Sequence, residues 1–112
     1  MPDVPPPNEA LQELASVLGD DNVRTLVRTF LRDFPASLKE LQGGDRKNRH
    51  RVAHSMKSNS RLMGANALSD RMAAIEARLD TADGVDVTVV DIAEITAEFE
   101  NVAKPLRAFV GE

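Results

Sequence analysis

The sequence predicts an all-α protein, an antiparallel up-down four-helix bundle with a short extra helix at its N-terminal end. Apolar residues recur with the period of amphipathic helices through four long segments. Glycine, aspartate and asparagine mark the short connections between those segments. All four aromatic residues in the 112-residue chain are phenylalanine. The core is therefore largely aliphatic, which suits packed helices, and no segment has the pattern of a convincing strand.

The first two helices follow from their caps and apolar spacing. Asn8 is a suitable N-cap for a short helix over about residues 9–18, and Gly19 ends that helix. We expect the aspartate pair after Gly19 to cap a longer helix that extends to about residue 42. Its apolar residues keep their helical phase across Pro35, so this proline should bend the helix rather than end it.

The third helix, which Asp45 should cap, carries the residues of greatest chemical interest. Gly64 and Ala65 are expected to form the tight structural turn that joins it to the fourth helix. The last helix should continue past Pro105, as the second continues past its own proline. These three helices are predicted over residues 46–63, 67–81 and 87–110.

Composition and charge define the domain organisation and exclude several classes of protein. Residues 1–7 are proline-rich, so we expect a flexible leader followed by one domain over residues 8–112. Met1 and this short leader favour a freestanding protein. The absence of cysteine excludes disulfides and thiolate metal sites. The net charge is −4, with no long basic run and no apolar run of membrane-spanning length. We therefore expect no nucleic-acid partner, no membrane association, a cytoplasmic location and a monomer.

His54 is the strongest candidate for chemistry, because imidazole is the best nucleophile that this chain offers near neutral pH. The apolar stripe of the third helix precedes it by one residue, so His54 should project from the edge of the bundle or into water. Its face carries cationic or small side chains, which would attract an anion and leave room for a partner protein. The residues that share this face are His50, Arg51, Lys57, Ser58 and Arg61.

Glu76 is the candidate partner of this imidazole. In the antiparallel hairpin of the third and fourth helices, residues at the same height have numbers that sum to about 130, as those of His54 and Glu76 do. A carboxylate that accepts the Nδ1 proton would fix the tautomer and leave Nε2 free as the nucleophile. The alternative is that Glu76 pairs with an arginine on its own helix, such as Arg71 or Arg78, and spacing alone leaves both arrangements open.

Three other interpretations of this helix stay open. His54 could be an ordinary solvated surface histidine, the usual state of a histidine on an amphipathic helix. The protein could be a non-catalytic adaptor that binds a partner through the same helix face and tolerates His54→Ala. His50 and His54 are four residues apart and could hold a metal. No glutamate lies between them and no third ligand is evident, so we expect no metal site.

The same residues carry a resemblance to a known family. The run from His54 to Leu68 resembles the signature of histidine-containing phosphotransfer (HPt) domains, approximately H-x-L-K-G-x-S-x-x-x-G-A-x-x-L. Met56 stands where the family has leucine, and Ser58 stands where it usually has glycine. A small residue is kept at that second position, so access to the imidazole should survive. The positions in register are His54, Met56, Lys57, Ser60, Gly64, Ala65 and Leu68.

Two further segments extend the resemblance over about residues 9–110. Residues 30–35 read FLRDFP and resemble the F-L-x-D-x-P of the preceding helix in the family. Ile75 and Glu76 match a later Leu-Glu. The chain has no glycine-rich ATP site, so we expect no kinase activity of its own.

The resemblance implies a carrier that moves a phosphoryl group between aspartates of response-regulator receiver domains in a phosphorelay. His54 would be the phosphohistidine, Lys57 would stabilise the charge of the phosphoryl oxygens, and Glu76 would orient the imidazole. The implied partners are receiver domains and a hybrid sensor histidine kinase. The chain itself would bind no cofactor, and Mg²⁺ would lie on the partner receiver. The candidate docking residues are Arg51, Ser58, Arg61 and Leu62.

Overall fold

The computed structural model describes residues 4–112, which contain five helices and no strands. The prediction of an all-helical protein is confirmed. The helices are α1 (Glu9–Leu18), α2 (Asp20–Glu40), α3 (Arg46–Leu62), α4 (Asn66–Asp80) and α5 (Val89–Val110). The predicted ends of these helices differ from the observed ends by two residues at most, and the prolines of α2 and α5 lie inside their helices.

Local hydrogen bonds explain where three of the helices begin. The side chains of Asn8, Asp45 and Thr88 each accept a backbone N–H from the first turn of α1, α3 and α5. The predicted cap of α2 is wrong, because its N-cap is Gly19, which has a φ of 86° and makes no side-chain cap. The aspartate pair lies in the first turn of α2 instead, where negative charge is favourable to the helix dipole.

The four long helices contact one another in a closed ring. α2 contacts α3, α3 contacts α4, α4 contacts α5, and α5 returns to α2, while α1 packs on α2. Phe30, Phe34 and Phe99 meet in the interior, where the rings of Phe34 and Phe99 stack with centroids 4.5 Å apart. Over residues 4–112, no helix has both the length and the apolarity that crossing a lipid bilayer requires.

The turn between α3 and α4 is fixed by the residue that caps α1. Gly64 has a φ of 75°, and a Cβ at this position would lie 2.4 Å from Oδ1 of Asn8. The side-chain amide of Asn8 donates a hydrogen bond to the carbonyl oxygen of Met63 at 2.8 Å. The backbone N–H of Ala65 donates to the carbonyl oxygen of Ser60 at 2.9 Å. Glycine is therefore favoured at position 64 by the positive φ, and a Cβ there would displace the Asn8 side chain that caps α1. The register of α4 along α3 is set at this turn.

The segment before α1 runs along the bundle from Val4. The carbonyl oxygen of Val4 accepts a hydrogen bond from Arg24, and that of Pro6 accepts one from Gln12. Residues 1–3 lie outside the described residues, so the flexibility predicted for the whole leader stays a prediction.

Candidate functional site

The apolar face of α3 determines where His54 points. Val52, Ala53 and Met56 are buried against the other helices, and Ser60 continues this buried face one turn further. His54 follows the buried Ala53 by one residue, about 100° further around the helix, and its side chain is 60% exposed. A partner protein can therefore reach the imidazole.

The α3–α4 hairpin brings Glu76 beside this imidazole. Nδ1 of His54 lies 2.5 Å from Oε2 of Glu76, which is hydrogen-bond distance. A second bond, from the hydroxyl of Ser69 to the carbonyl oxygen of Lys57 at 3.0 Å, holds the two helices together one turn away. The spacing rule had left open a pairing of Glu76 with an arginine of its own helix. Arg71 and Arg78 instead contact the carboxylates of Glu94 and Asp91 on α5.

Lys57 completes a three-residue network that sequence reasoning missed. Its ammonium Nζ donates to Oε1 of Glu76 at 2.6 Å, so one carboxylate contacts both the lysine and His54. The side chain of Glu76 is only 15% exposed. The hydrogen bond from Lys57 is the largest cause that lowers the pKa of Glu76, and the bond to His54 lowers it further, against the opposing effect of burial. The hairpin spacing that links His54 to Glu76 also places Lys57 within one turn of that level, and this signal could have found the contact.

The geometry distinguishes the two nitrogens of the His54 ring. A carboxylate has no proton to donate at neutral pH, so the hydrogen at the His54–Glu76 contact belongs to Nδ1. In the neutral imidazole Nε2 then carries the lone pair. No side chain among residues 4–112 makes a hydrogen bond to Nε2. The site thus presents a nucleophilic nitrogen on an exposed ring whose other nitrogen is held by a negative charge.

A sequence-family model described as "Hpt domain" matches residues 25–105, which run from within α2 to within α5. The chain belongs to the Hpt domain family. The resemblance drawn from the run around His54 is thus confirmed. Hpt domains are phosphoryl carriers rather than kinases; they act in phosphorelays, where they interact with receiver domains and kinases. Comparisons with curated proteins and with solved structures found no significant match.

The second histidine of this Hpt domain lies one turn before the first and contacts a different carboxylate. Nε2 of His50 is 3.5 Å from Oδ1 of Asp80, whereas Nδ1 of His54 contacts Glu76. Within the described part of the chain, no three or more histidine, aspartate and glutamate side chains come together as a set of metal ligands. The two histidines considered for a metal therefore contact two different carboxylates.

The four predicted docking residues of the Hpt domain are all exposed on α3. Arg51 donates a hydrogen bond to the side-chain oxygen of Asn48, whereas Ser58 and Arg61 make no side-chain hydrogen bond within residues 4–112. Leu62 is 46% exposed and lies at a cavity of about 120 Å³ between α2 and α3, which Phe30, Phe34 and Met56 also line. Docking itself stays a prediction for all four residues.

Proposed function

We propose that this chain carries a phosphoryl group on Nε2 of His54, between the aspartates of response-regulator receiver domains in a phosphorelay. The observation that supports this proposal best is the hydrogen bond between Nδ1 of the exposed imidazole and the carboxylate of Glu76. It leaves Nε2 as the free and accessible nucleophile. Membership of the Hpt domain family supports the same class of reaction.

The transfer step forms one bond and breaks one bond. The Nε2 lone pair attacks the phosphorus of an aspartyl phosphate on the receiver, the N–P bond forms, and the P–O bond to the aspartate breaks. The aspartate leaves as a carboxylate, and the phosphorylated ring becomes a cation that keeps its proton on Nδ1. Reversal of the same step on a second receiver returns the histidine to its neutral form. Mg²⁺ held by the receiver would supply most of the charge neutralisation at the phosphoryl oxygens.

Glu76 would assist this step by stabilising the positive charge that develops on the imidazole ring. The imidazole is neutral before the attack and cationic after it, so a carboxylate at 2.5 Å stabilises the transition state more than the ground state. Lys57 would hold this carboxylate ionised and in place, since the two groups are 2.6 Å apart. Lys57 would also contact the phosphoryl oxygens, as the resemblance implies, since a lysine ammonium has three N–H donors and the bond to Glu76 uses one of them.

The remaining assignments follow from the same proposal. Helices α2 to α5 would form the antiparallel up-down four-helix bundle, with α1 across one end. The exposed face of α3 that carries Arg51, Ser58, Arg61 and Leu62 would receive the partner, a receiver domain or a hybrid sensor kinase. The protein would act as a cytoplasmic monomer that binds no cofactor of its own.

Phosphoryl transfer from a panel of radiolabelled phospho-receiver domains, with Mg²⁺ present, tests the function. We expect acid-labile, base-stable label on the wild-type chain and none on His54→Ala. His50→Ala is the matched control, since it removes the other histidine one turn away on the same helix, and it should still take up label. Failure of every receiver to label the wild type, with receiver binding that survives His54→Ala, would instead support a non-catalytic adaptor.

A further inference from the structure

The distribution of charge along α3 differs from that of the rest of the chain. Six of its 17 residues are lysine or arginine and none is aspartate or glutamate. The whole chain, in contrast, has 18 acidic and 14 basic residues and a net charge of −4. The helix that carries His54 is thus a concentrated positive element on an acidic protein.

Three of the six cations of α3 are used within the fold. Arg46 donates hydrogen bonds to main-chain carbonyl oxygens at the end of α4 and in the loop that follows it, at 2.8 to 3.3 Å. Arg49 pairs with the carboxylate of Asp86 in the same loop at 2.7 Å. Lys57 pairs with Glu76 at 2.6 Å. These three cations therefore make contacts within the fold, where they stabilise the α3–α4 hairpin and the loop that leads to α5.

The other three cations, Lys47, Arg51 and Arg61, are exposed and have no carboxylate partner within residues 4–112. They lie on one line with His54 and Ser58, because the spacing from 47 through 51, 54 and 58 to 61 alternates between four and three residues. We call these five residues the basic stripe. Every residue of the stripe is exposed.

The geometry of the basic stripe is nearly symmetric about the reactive histidine. Lys47 precedes His54 by seven residues and Arg61 follows it by seven, so each end lies roughly 10 Å from His54 along the helix axis. Exposed cations without carboxylate partners create a field that reaches about one Debye length, roughly 8 Å at physiological ionic strength. A surface that brings negative charge to both ends would therefore be oriented with its centre over the imidazole.

We propose that the basic stripe is an electrostatic docking surface for an acidic face of the receiver domain, with Lys47 and Arg61 as its two ends. This inference rests on the proposed function, and it adds Lys47 to the docking residues. Lys57 is not part of the stripe, because its ammonium contacts Glu76. The acidic remainder of the chain opposes the approach of an extended polyanion such as a nucleic acid, whereas a protein need present acidic groups only to one helix face. The stripe contributes mainly to the rate of encounter, because its charges lie in water.

Charge reversal at the ends of the stripe tests the proposal. The second-order rate of transfer from the phospho-receiver is measured at about 20, 100 and 300 mM salt for wild type and for the double variant Lys47→Glu/Arg61→Glu. We expect a loss of at least about tenfold at low salt that shrinks at high salt, with the single-turnover rate at saturating receiver nearly unchanged. The matched control is a double variant elsewhere, Lys39→Glu/Lys104→Glu. These lysines are exposed on α2 and α5, have no ion pair with any residue from 4 to 112 and give the same change in net charge.

Equal rates for the two double variants at every salt concentration would overturn the proposal while leaving the phosphocarrier function intact. Absence of label on the wild type with every receiver would instead refute the function on which the proposal rests. A fluorescently labelled oligonucleotide is titrated in parallel. Binding that is strong for the wild type and lost in Lys47→Glu/Arg61→Glu would assign the stripe to nucleic acid and overturn the receiver as its partner.

Discussion

Removal of the Glu76 carboxylate should slow phosphoryl transfer without unfolding the protein. Glu76 contacts Nδ1 of His54 at 2.5 Å and Nζ of Lys57 at 2.6 Å. A hydrogen bond to a charged group contributes about 1.5–3 kcal/mol, and exposure of the imidazole to water reduces this to about 1–2 kcal/mol. At 1.36 kcal/mol for each factor of ten, Glu76→Ala should lower the transfer rate by roughly 5- to 30-fold.

The assay is single-turnover transfer from a phospho-receiver at saturating concentration, followed by rapid quenching. Glu76→Gln separates orientation from charge, because its amide oxygen can still accept the Nδ1 proton but carries no negative charge. We expect this variant to keep the Nδ1–H tautomer in ¹⁵N NMR spectra and yet to transfer more slowly than wild type. Asp80→Ala is the matched control, since it removes the carboxylate that contacts His50 one turn away, and it should stay within about twofold of the wild-type rate.

A Glu76→Ala rate within twofold of wild type, in a variant whose circular dichroism and melting temperature show an intact fold, would refute the reasoning. It would mean that the developing charge on the ring is stabilised by water or by the receiver. An equal loss in Glu76→Ala and Asp80→Ala would also refute it, because the effect would then reflect net charge rather than the contact with the imidazole.

Three further predictions concern stability. Gly64→Ala should destabilise the fold by about 2 kcal/mol or more, and Gly111→Ala by only about 1 kcal/mol. Both glycines have a positive φ, but only a Cβ at position 64 collides with the side chain that caps α1. Equal midpoints of urea unfolding for the two variants would contradict this. Met56 is 1% exposed, so Met56→Asp should cost several kcal/mol, and an unchanged melting temperature would mean that α3 is rotated. The hydrogen bond from Arg78 is the main cause that lowers the pKa of Asp91 from 3.8 to about 2, so this pair stabilises the fold above pH 4 and loses its effect as the pH falls towards 2. Asp91→Asn should therefore be less stable than wild type by about 1 kcal/mol at pH 6, after allowance for solvent screening, and equally stable near pH 2 in chemical unfolding.

The helices could be predicted closely because local signals are strong in this chain. Asn8 and Asp45 cap α1 and α3 as the sequence predicts, and the apolar stripe identifies the buried face of α3 without knowledge of its neighbours. The cap of α2 was wrong because Gly19 both ends α1 and begins α2, which leaves no residue between the helices for a side-chain cap. Local pattern does not reveal such sharing of one residue by two helices.

The candidate site could be predicted only in part, because its electrostatics depend on contacts between helices. The hairpin spacing placed Glu76 level with His54, and the two side chains do meet. The same spacing did not show which cations of α3 contact a carboxylate and which do not. The proposed roles of its lysines and arginines depend on this difference. Lys57 follows the histidine by one turn and reads in sequence as a free positive charge, yet its ammonium contacts Glu76.

This contact links the two halves of the proposed chemistry. A lysine beside a carboxylate keeps that carboxylate ionised, as the lowered pKa of Glu76 indicates, and an ionised carboxylate favours the cationic form of the ring that accepts the phosphoryl group. On the proposed function, the cation of Lys57 would serve the nucleophile. The cations that meet the partner would come from the basic stripe, where Lys47 and Arg61 have no carboxylate partner within residues 4–112. Helix α3 would then use one cation for reactivity, through Glu76, and the cations of its exposed face for recognition.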